Sequence, residues 1–272
     1  MRRSTHKGKP FLEIFSLALQ EDYRFPILEI FAFLYSLGTF IYAYPFFQGY
    51  AATLSEQSAY SMATTLMGLP LNIFIILMFK NIAYGIGSDL EKATIQTLFS
   101  YPLKRHLILT AKLLSAILVA LLVFLGTQVS ALYLLAPEIV SSYPVPVFLA
   151  YLANVGYALF LTAILLLLTL KTRRGGLAVV FGLIMYFAIA VIQGIASVIE
   201  YLGHIDWPSR VMSIINPATV VGKYYTSGPV MGLSSQWVPT FNEVLLYVFG
   251  CYVIVAILFA FCYRYFSRRL SL

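Results

Sequence analysis

The sequence predicts an all-α membrane protein built from six transmembrane helices. Hydrophobic residues make up 60% of its 272 positions and charged residues only 11%, whereas a soluble domain carries about 25% charged residues. A soluble chain of this length could not bury so much apolar surface, and a disordered chain needs low hydrophobicity, so both classes are excluded. The few charged residues also divide the chain into long uncharged segments, which is the pattern of a multi-pass protein.

Each of these uncharged segments is long enough for one membrane crossing. Six gaps between successive charged residues hold 20 to 32 residues, and a helix needs about 20 apolar residues to cross a bilayer. A further gap, between Lys223 and Glu243, contains Pro229, Pro239 and several glycines and serines. That composition breaks helices, so this gap is not predicted to span. The spans are predicted at residues 30–47, 60–80, 110–136, 147–170, 177–200 and 244–264.

The basic residues predict how the spans are oriented. Six spans place both termini on one side, and that side collects 16 of the 18 Lys and Arg residues, leaving only Arg210 and Lys223 opposite. Cytoplasmic loops carry the Lys and Arg excess, so we expect a plasma-membrane protein with both termini in the cytoplasm. The membrane topology explains the net charge of +7. We therefore expect the protein surface to contact the lipid bilayer, and we do not expect it to bind nucleic acid.

Two segments outside the spans are predicted to fold as helices of their own. Residues 10–25 place their polar side chains on one helical stripe and their apolar side chains on the rest, which predicts an amphipathic helix on the inner membrane surface. The outer connection, residues 201–243, predicts two short helices, Ser209–Ile215 and Ala218–Tyr225, separated by Asn216 and Pro217. These would form a re-entrant or interfacial hairpin, so the whole chain, 1–272, is predicted to be a single transmembrane domain.

The inner connection at residues 87–105 predicts a third such helix. Ser88 and Glu91 have the spacing of a capping box, in which two side chains satisfy exposed N–H groups at a helix start. A short helix is therefore predicted from Asp89 to Phe99, and Pro102 is predicted to end it. A connection of this length and organisation favours a docking surface over a minimal turn.

Signatures of catalysis and metal binding are absent from the sequence. His6, His106 and His204 lie in three separate segments, without the spacing of a zinc site. There is no nucleophile elbow and no phosphate-binding loop. The chain is therefore predicted not to be an enzyme and to hold no cofactor or metal, and any ATP-driven work would need a partner.

A pattern of acidic, apolar and basic residues runs from the second span into the third. Together with the six-span layout, the amphipathic leader and the outer hairpin, it resembles type-2 ABC exporter permeases, the transmembrane subunits of ATP-binding-cassette transporters. Ala93 stands where that family usually has glycine, and Gln96 where glutamate is common. The residues that match the family pattern are Asp89, Glu91, Thr94, Leu98, Pro102, Arg105 and Lys112.

The resemblance implies a permease that pairs with a second permease copy or a homologue. It also implies two separate cytoplasmic ABC ATPase subunits, which would bind ATP and Mg. The helix Asp89–Phe99 would be the coupling helix that docks into the ATPase, and the seven matching residues would form the coupling element. Arg105 and Lys112 are seven residues apart and share a helix face, so either could hold this helix through Asp89 or Glu91.

The resemblance also implies which spans form the substrate path and which form the dimer. In that family the second and fifth spans line the path, so Asn72 and Gln193 are the candidate path residues. Hydrogen bonding between helices is the alternative role for both. The first and fifth spans would meet near the two-fold axis, where the fifth span offers small residues that allow close approach: Gly182, Ala188, Ala190, Gly194 and Ala196.

Two other functions are compatible with a six-span chain. The first is a secondary carrier or channel, which normally needs ionisable residues within its spans. Here the charged residues lie only at span ends, which disfavours it. The second is a membrane assembly factor that transports nothing. The transported substrate is open between drugs, lipids, glycans, peptides and ions.

Overall fold

The computed structural model describes most of the chain, and every regular element in the described part is helical. The described residues are 9–22, 30, 33–38, 40–41, 55–92, 104–226 and 237–269. The helices bounded within them are α1 (Lys9–Asp22), α2 (Glu56–Glu91), α3 (Arg105–Leu135), α4 (Pro137–Ser142), α5 (Pro144–Thr172), α6 (Gly175–Gly203), α7 (Trp207–Ile215), α8 (Ala218–Thr226) and α9 (Phe241–Arg269).

Five of the described helices are long and apolar enough to cross a membrane, namely α2, α3, α5, α6 and α9. This confirms an all-helical protein with several candidate spans, and the five helices coincide with the predicted spans from the second to the sixth. The predicted first span, residues 30–47, lies largely outside the described residues. Within it, residues 33–38 and 40–41 are helical, and Phe40 lies beside Ala131 and Leu135 near the end of α3.

The helix α5 is the centre of the bundle. It packs against α2, α6, α8 and α9, and Ala150, Leu161 and Leu165 on it are fully buried. In contrast, only 17% of the most apolar window of α6 is buried. Such a large exposed apolar surface is not compatible with a water-soluble monomer, so the outer face of α6 is suited to lipid.

The helix α2 is long because it continues past the point where a new helix was predicted to start. A π-helical turn, Ala83–Gly87, interrupts it near its end, and α-helical geometry then resumes through Glu91. The predicted capping box was therefore wrong. Ser88 lies inside the helix, where its hydroxyl donates to the Tyr84 carbonyl oxygen at 2.6 Å, so it caps no N-terminus. The rest of the predicted helix Asp89–Phe99 lies outside the described residues beyond 92.

The predicted helices outside the spans are present where the structure describes them. The helix α1 lies on the start of α3, with Ile14 packed against Ile108 and Ala111, while Leu12 and Leu17 are exposed. The helices α7 and α8 match the two predicted outer helices, and Asn216 and Pro217 separate them as expected. The end of the outer connection, residues 227–236, lies outside the described residues.

The small residues of α6 do not all face outward as the dimer prediction required. A side-chain carbon on Gly182 would lie 2.5 Å from the Leu165 side chain of α5, and Ala196 is buried at 4% exposure. These two residues pack within the chain. Ala188, Ala190 and Gly194 are exposed, and their role in the dimer stays a prediction.

Candidate functional site

A buried ion pair joins the end of α2 to the start of α3. The Asp89 carboxylate contacts the Lys112 ammonium, and both side chains are more than nine-tenths buried. The ammonium also donates to the Gly85 carbonyl oxygen at 3.0 Å. Gly85 belongs to the π-helical turn, so the distortion of α2 and the ion pair lie side by side. Losing one partner of such a pair strands a buried charge, which costs about 3–5 kcal/mol.

The structure thus brings together two of the seven predicted coupling residues. Lys112 is the basic residue that the structure shows against Asp89. Glu91, which was the alternative partner, has an exposed side chain, and so has Arg105 at the first position of α3. The other three predicted coupling residues, Thr94, Leu98 and Pro102, lie outside the described residues.

The π-helical turn also touches the start of α6 through glycine. A side-chain carbon on Gly87 would lie 2.5 Å from the Gly175 Cα, and one on Gly175 would collide with the Ala83 carbonyl oxygen. Both positions therefore need glycine for the two backbones to approach this closely. The next residue, Gly176, faces open space, so the close approach is confined to one crossing point.

A cavity of about 350 Å³ lies beside this crossing, between α2 and α6. Lys80, Ser88 and Glu91 supply its polar groups. The apolar part of the lining includes Phe79 and Leu183. This is a combination of apolar wall and charged rim at one end of a span, which suits an amphipathic molecule.

A line of polar contacts follows one side of α6. Tyr186, Gln193 and Glu200 are spaced seven residues apart, which places them on the same helical face over about 21 Å of helix length. The Tyr186 hydroxyl donates to the Asn72 side-chain oxygen of α2. Further along α6, Glu200 is 4% exposed and forms an ion pair with Lys223 of α8.

The middle contact of this polar line comes from the outer connection. The Asn216 side-chain nitrogen donates to the Gln193 side-chain oxygen at 3.0 Å. The two predicted path residues therefore bond to different partners: Asn72 makes the interhelical bond that was its alternative role, whereas Gln193 bonds to the break between α7 and α8. The partners Tyr186 and Asn216 were missed. The seven-residue spacing of polar residues along α6 is the signal that could have found the line.

The end of the bundle at α7 and α8 holds a second charged cluster, around the Trp237 ring. The Arg210 guanidinium carbon lies 4.6 Å from the ring centroid and the Lys223 ammonium 5.0 Å, both within reach of cation–π attraction. Arg210 also donates to Asp206 at 2.8 Å and lies 3.7 Å from Glu243. Arg210 and Lys223 are the two basic residues that the sequence placed on the side opposite the termini, and both are paired with acidic residues.

The helix α8 is also attached to the beginning of α2. Tyr225 of α8 stacks on Tyr60 of α2, with ring centroids 5.3 Å apart. Burial, with a smaller contribution from the Glu56 carboxylate, raises the pKa of Tyr225 to about 12. The phenol therefore stays neutral at physiological pH, as a residue packed between helices must.

No family model matches the chain, and no curated protein matches it. Among the described residues, no group of three or more His, Cys, Asp or Glu side chains could hold a metal ion. In the same residues, Cys251 and Cys262 are buried free thiols. The contacts within the chain are therefore the basis on which a function can be assigned.

Proposed function

We propose that this chain is the permease subunit of an ATP-driven exporter. It would form the substrate pathway with a second permease copy or a homologue, driven by separate ABC ATPase subunits that bind ATP and Mg. The observation that carries this proposal is the buried pair of Asp89 and Lys112. It fastens the end of α2 to the start of α3, the two helices joined by the connection that resembles the exporter coupling element. A force on that connection would reach both spans together.

The proposed permease crosses the membrane six times. The helix α1 packs on the start of α3, while α2 begins at the opposite end of the bundle, where Tyr60 meets α8. A crossing at residues 30–47 would connect these two ends. The Tyr263 hydroxyl, near the end of α9, donates to the Thr110 side chain at 3.0 Å. The end of α9 therefore lies at the same end of the bundle as α1. The Lys and Arg excess assigns that end to the cytoplasm.

The proposed substrate path runs between α2 and α6. Most of the surface of α6 faces outward, and little of its apolar window is buried in the bundle. Few buried contacts are expected of an element that moves. Its contacts with α2 include the glycine crossing at Gly87 and Gly175 and the bond between Asn72 and Tyr186. Motion of α2 would open or close the path at these two points, with the cavity beside Lys80 as its inner entrance.

The decisive experiment is purification of the tagged full chain from its native membrane. We expect an ATPase with a phosphate-binding loop to co-purify and to hydrolyse ATP in a substrate-dependent way. Leu98→Asp should leave insertion normal but remove the ATPase, whereas its matched control, Lys92→Gln, should retain it. Full attachment and full coupling in Leu98→Asp would overturn the coupling role. Ion-driven transport without any ATPase would favour a secondary carrier instead.

A further inference from the structure

An unassigned cavity of about 520 Å³ lies at the end of α9. It is separate from the contacts between α2 and α6. Among the described residues, its lining comes from one residue of α5 and four residues of α9. These residues are Leu167, Phe261, Arg264, Tyr265 and Arg268.

The lining divides into a basic end and an apolar end. Arg264 and Arg268 are four residues apart, and Phe261 precedes Arg264 by three, so the three side chains share one face of α9. Phe261 is 60% exposed and lies deeper in the span than the arginines, on the same cavity as Leu167 of α5. A ligand here would meet two guanidinium groups at the membrane surface and an apolar wall below them.

Arg264 and Arg268 differ from the basic residues that form ion pairs elsewhere in the bundle. Lys112, Arg210 and Lys223 are each paired with a carboxylate. Within the described part of the chain, no carboxylate lies within ion-pairing distance of Arg264 or Arg268, and both side chains are exposed. Among the described residues, the cavity therefore presents two guanidinium groups with no carboxylate beside them.

We propose that this cavity binds an anionic phospholipid. The lipid phosphate would lie between Arg264 and Arg268, since guanidinium groups match phosphate oxygens in planar, bidentate geometry. One acyl chain would lie along Phe261 and Leu167. A free phosphate would use the arginines but not the apolar wall, whereas a lipid uses both. Basic pockets between spans at a membrane surface are of the kind that binds anionic head groups.

The test compares two lipids on the purified full chain. The protein is incubated in detergent with equal amounts of phosphatidylglycerol and phosphatidylcholine of the same acyl chains, and bound lipids are counted by native mass spectrometry. We expect a preference for phosphatidylglycerol. Arg264→Gln with Arg268→Gln should lower that preference at least about fivefold, because one Lys or Arg near an anionic surface contributes on the order of fivefold. Phosphatidylcholine binding should fall less, because its choline cation already opposes the two arginines.

The matched control is Arg173→Gln with Arg174→Gln. It removes two exposed charges from the connection between α5 and α6, at the same end of the bundle, and should retain the lipid preference within about twofold. An equal loss in the control would overturn the site, since the effect would then belong to overall charge. Absence of any preference in the unmodified protein would overturn it as well.

A third variant separates a lipid from a free anion. Phe261→Asn keeps both arginines and removes the apolar wall, and we expect it to lower phosphatidylglycerol retention severalfold. Inorganic phosphate, added against chloride at equal ionic strength, should not displace the lipid from the unmodified protein. Full displacement by phosphate, together with normal retention in Phe261→Asn, would identify a site for free anions and refute the lipid proposal.

Discussion

The backbones of Gly87 and Gly175 approach so closely that a side-chain carbon on Gly87 would lie 2.5 Å from the Cα of Gly175. This contact places the π-helical turn of α2 directly on the first residue of α6. The buried carboxylate of Asp89 follows two residues later. The end of α2 is therefore fastened on one side to α3 by charge and on the other side to α6 by close packing.

Gly175→Ala is expected to destabilise the protein, whereas Gly176→Ala is not. The new methyl group at 175 would collide with the Ala83 carbonyl oxygen, and at 176 it would face open space. Overpacking of this kind costs about 1–3 kcal/mol. Thermal unfolding of the two variants in detergent measures the difference. Equal melting temperatures would show that the helices can separate at this crossing without loss.

Asp89→Asn is expected to lower stability by about 3–5 kcal/mol, because it leaves the Lys112 ammonium buried without its counter-charge. The double variant Asp89→Asn with Lys112→Met should regain most of this loss, since neither charge remains. Glu91→Gln is the matched control and should stay within about 0.5 kcal/mol, because Glu91 is exposed. Thermal unfolding provides the comparison, and a double variant no better than Asp89→Asn would contradict the pairing.

Glu200→Gln is expected to loosen the attachment of α8 to α6. Lys223 would lose its partner, at a cost of about 1–3 kcal/mol that is reduced by its partial exposure. Trp207 and Trp237 are the only tryptophans of the chain, and Trp237 lies against Lys223, so intrinsic fluorescence reports on this region. We expect a red shift of the emission and a lower melting temperature. Glu138→Gln, at an exposed site on α4, should change neither.

Cysteines at positions 72 and 193 are expected to react with a permeant thiol reagent in a manner that depends on ATP state. The path proposed between α2 and α6 would expose Asn72 when its contact with Tyr186 opens. Cys251 and Cys262 are buried and are replaced by alanine in the test background. Leu161→Cys in α5, at 0% exposure, is the unreactive control. Inertness of both test positions in every state would remove them from the path.

A reporter fused after Leu272 is expected to be active in the cytoplasm. The expectation rests on the excess of Lys and Arg on the side that holds both termini. An enzyme that works only outside the cell, fused at the same position, should be inactive. Activity of the external reporter alone would reverse the proposed orientation.

The sequence by itself determined where the long apolar helices lie. Apolar length marked α3, α5 and α9 as candidate spans, because a bilayer-sized helix must be free of charge along its middle. The break at Asn216 and Pro217 placed α7 and α8 correctly, since proline and its preceding residue disfavour continued helix. These are local properties, so they can be obtained from short stretches of sequence.

Only the tertiary structure decided which side chains meet. Asp89 could have paired with either Arg105 or Lys112 on sequence spacing, and the packing of α2 against α3 selects Lys112. Ser88 had the spacing of a cap, but α2 continues through it, and its hydroxyl bonds within the helix instead. Such outcomes depend on how each helix is rotated and shifted against its neighbours. That arrangement is set by packing between elements far apart in sequence, so local spacing cannot specify it.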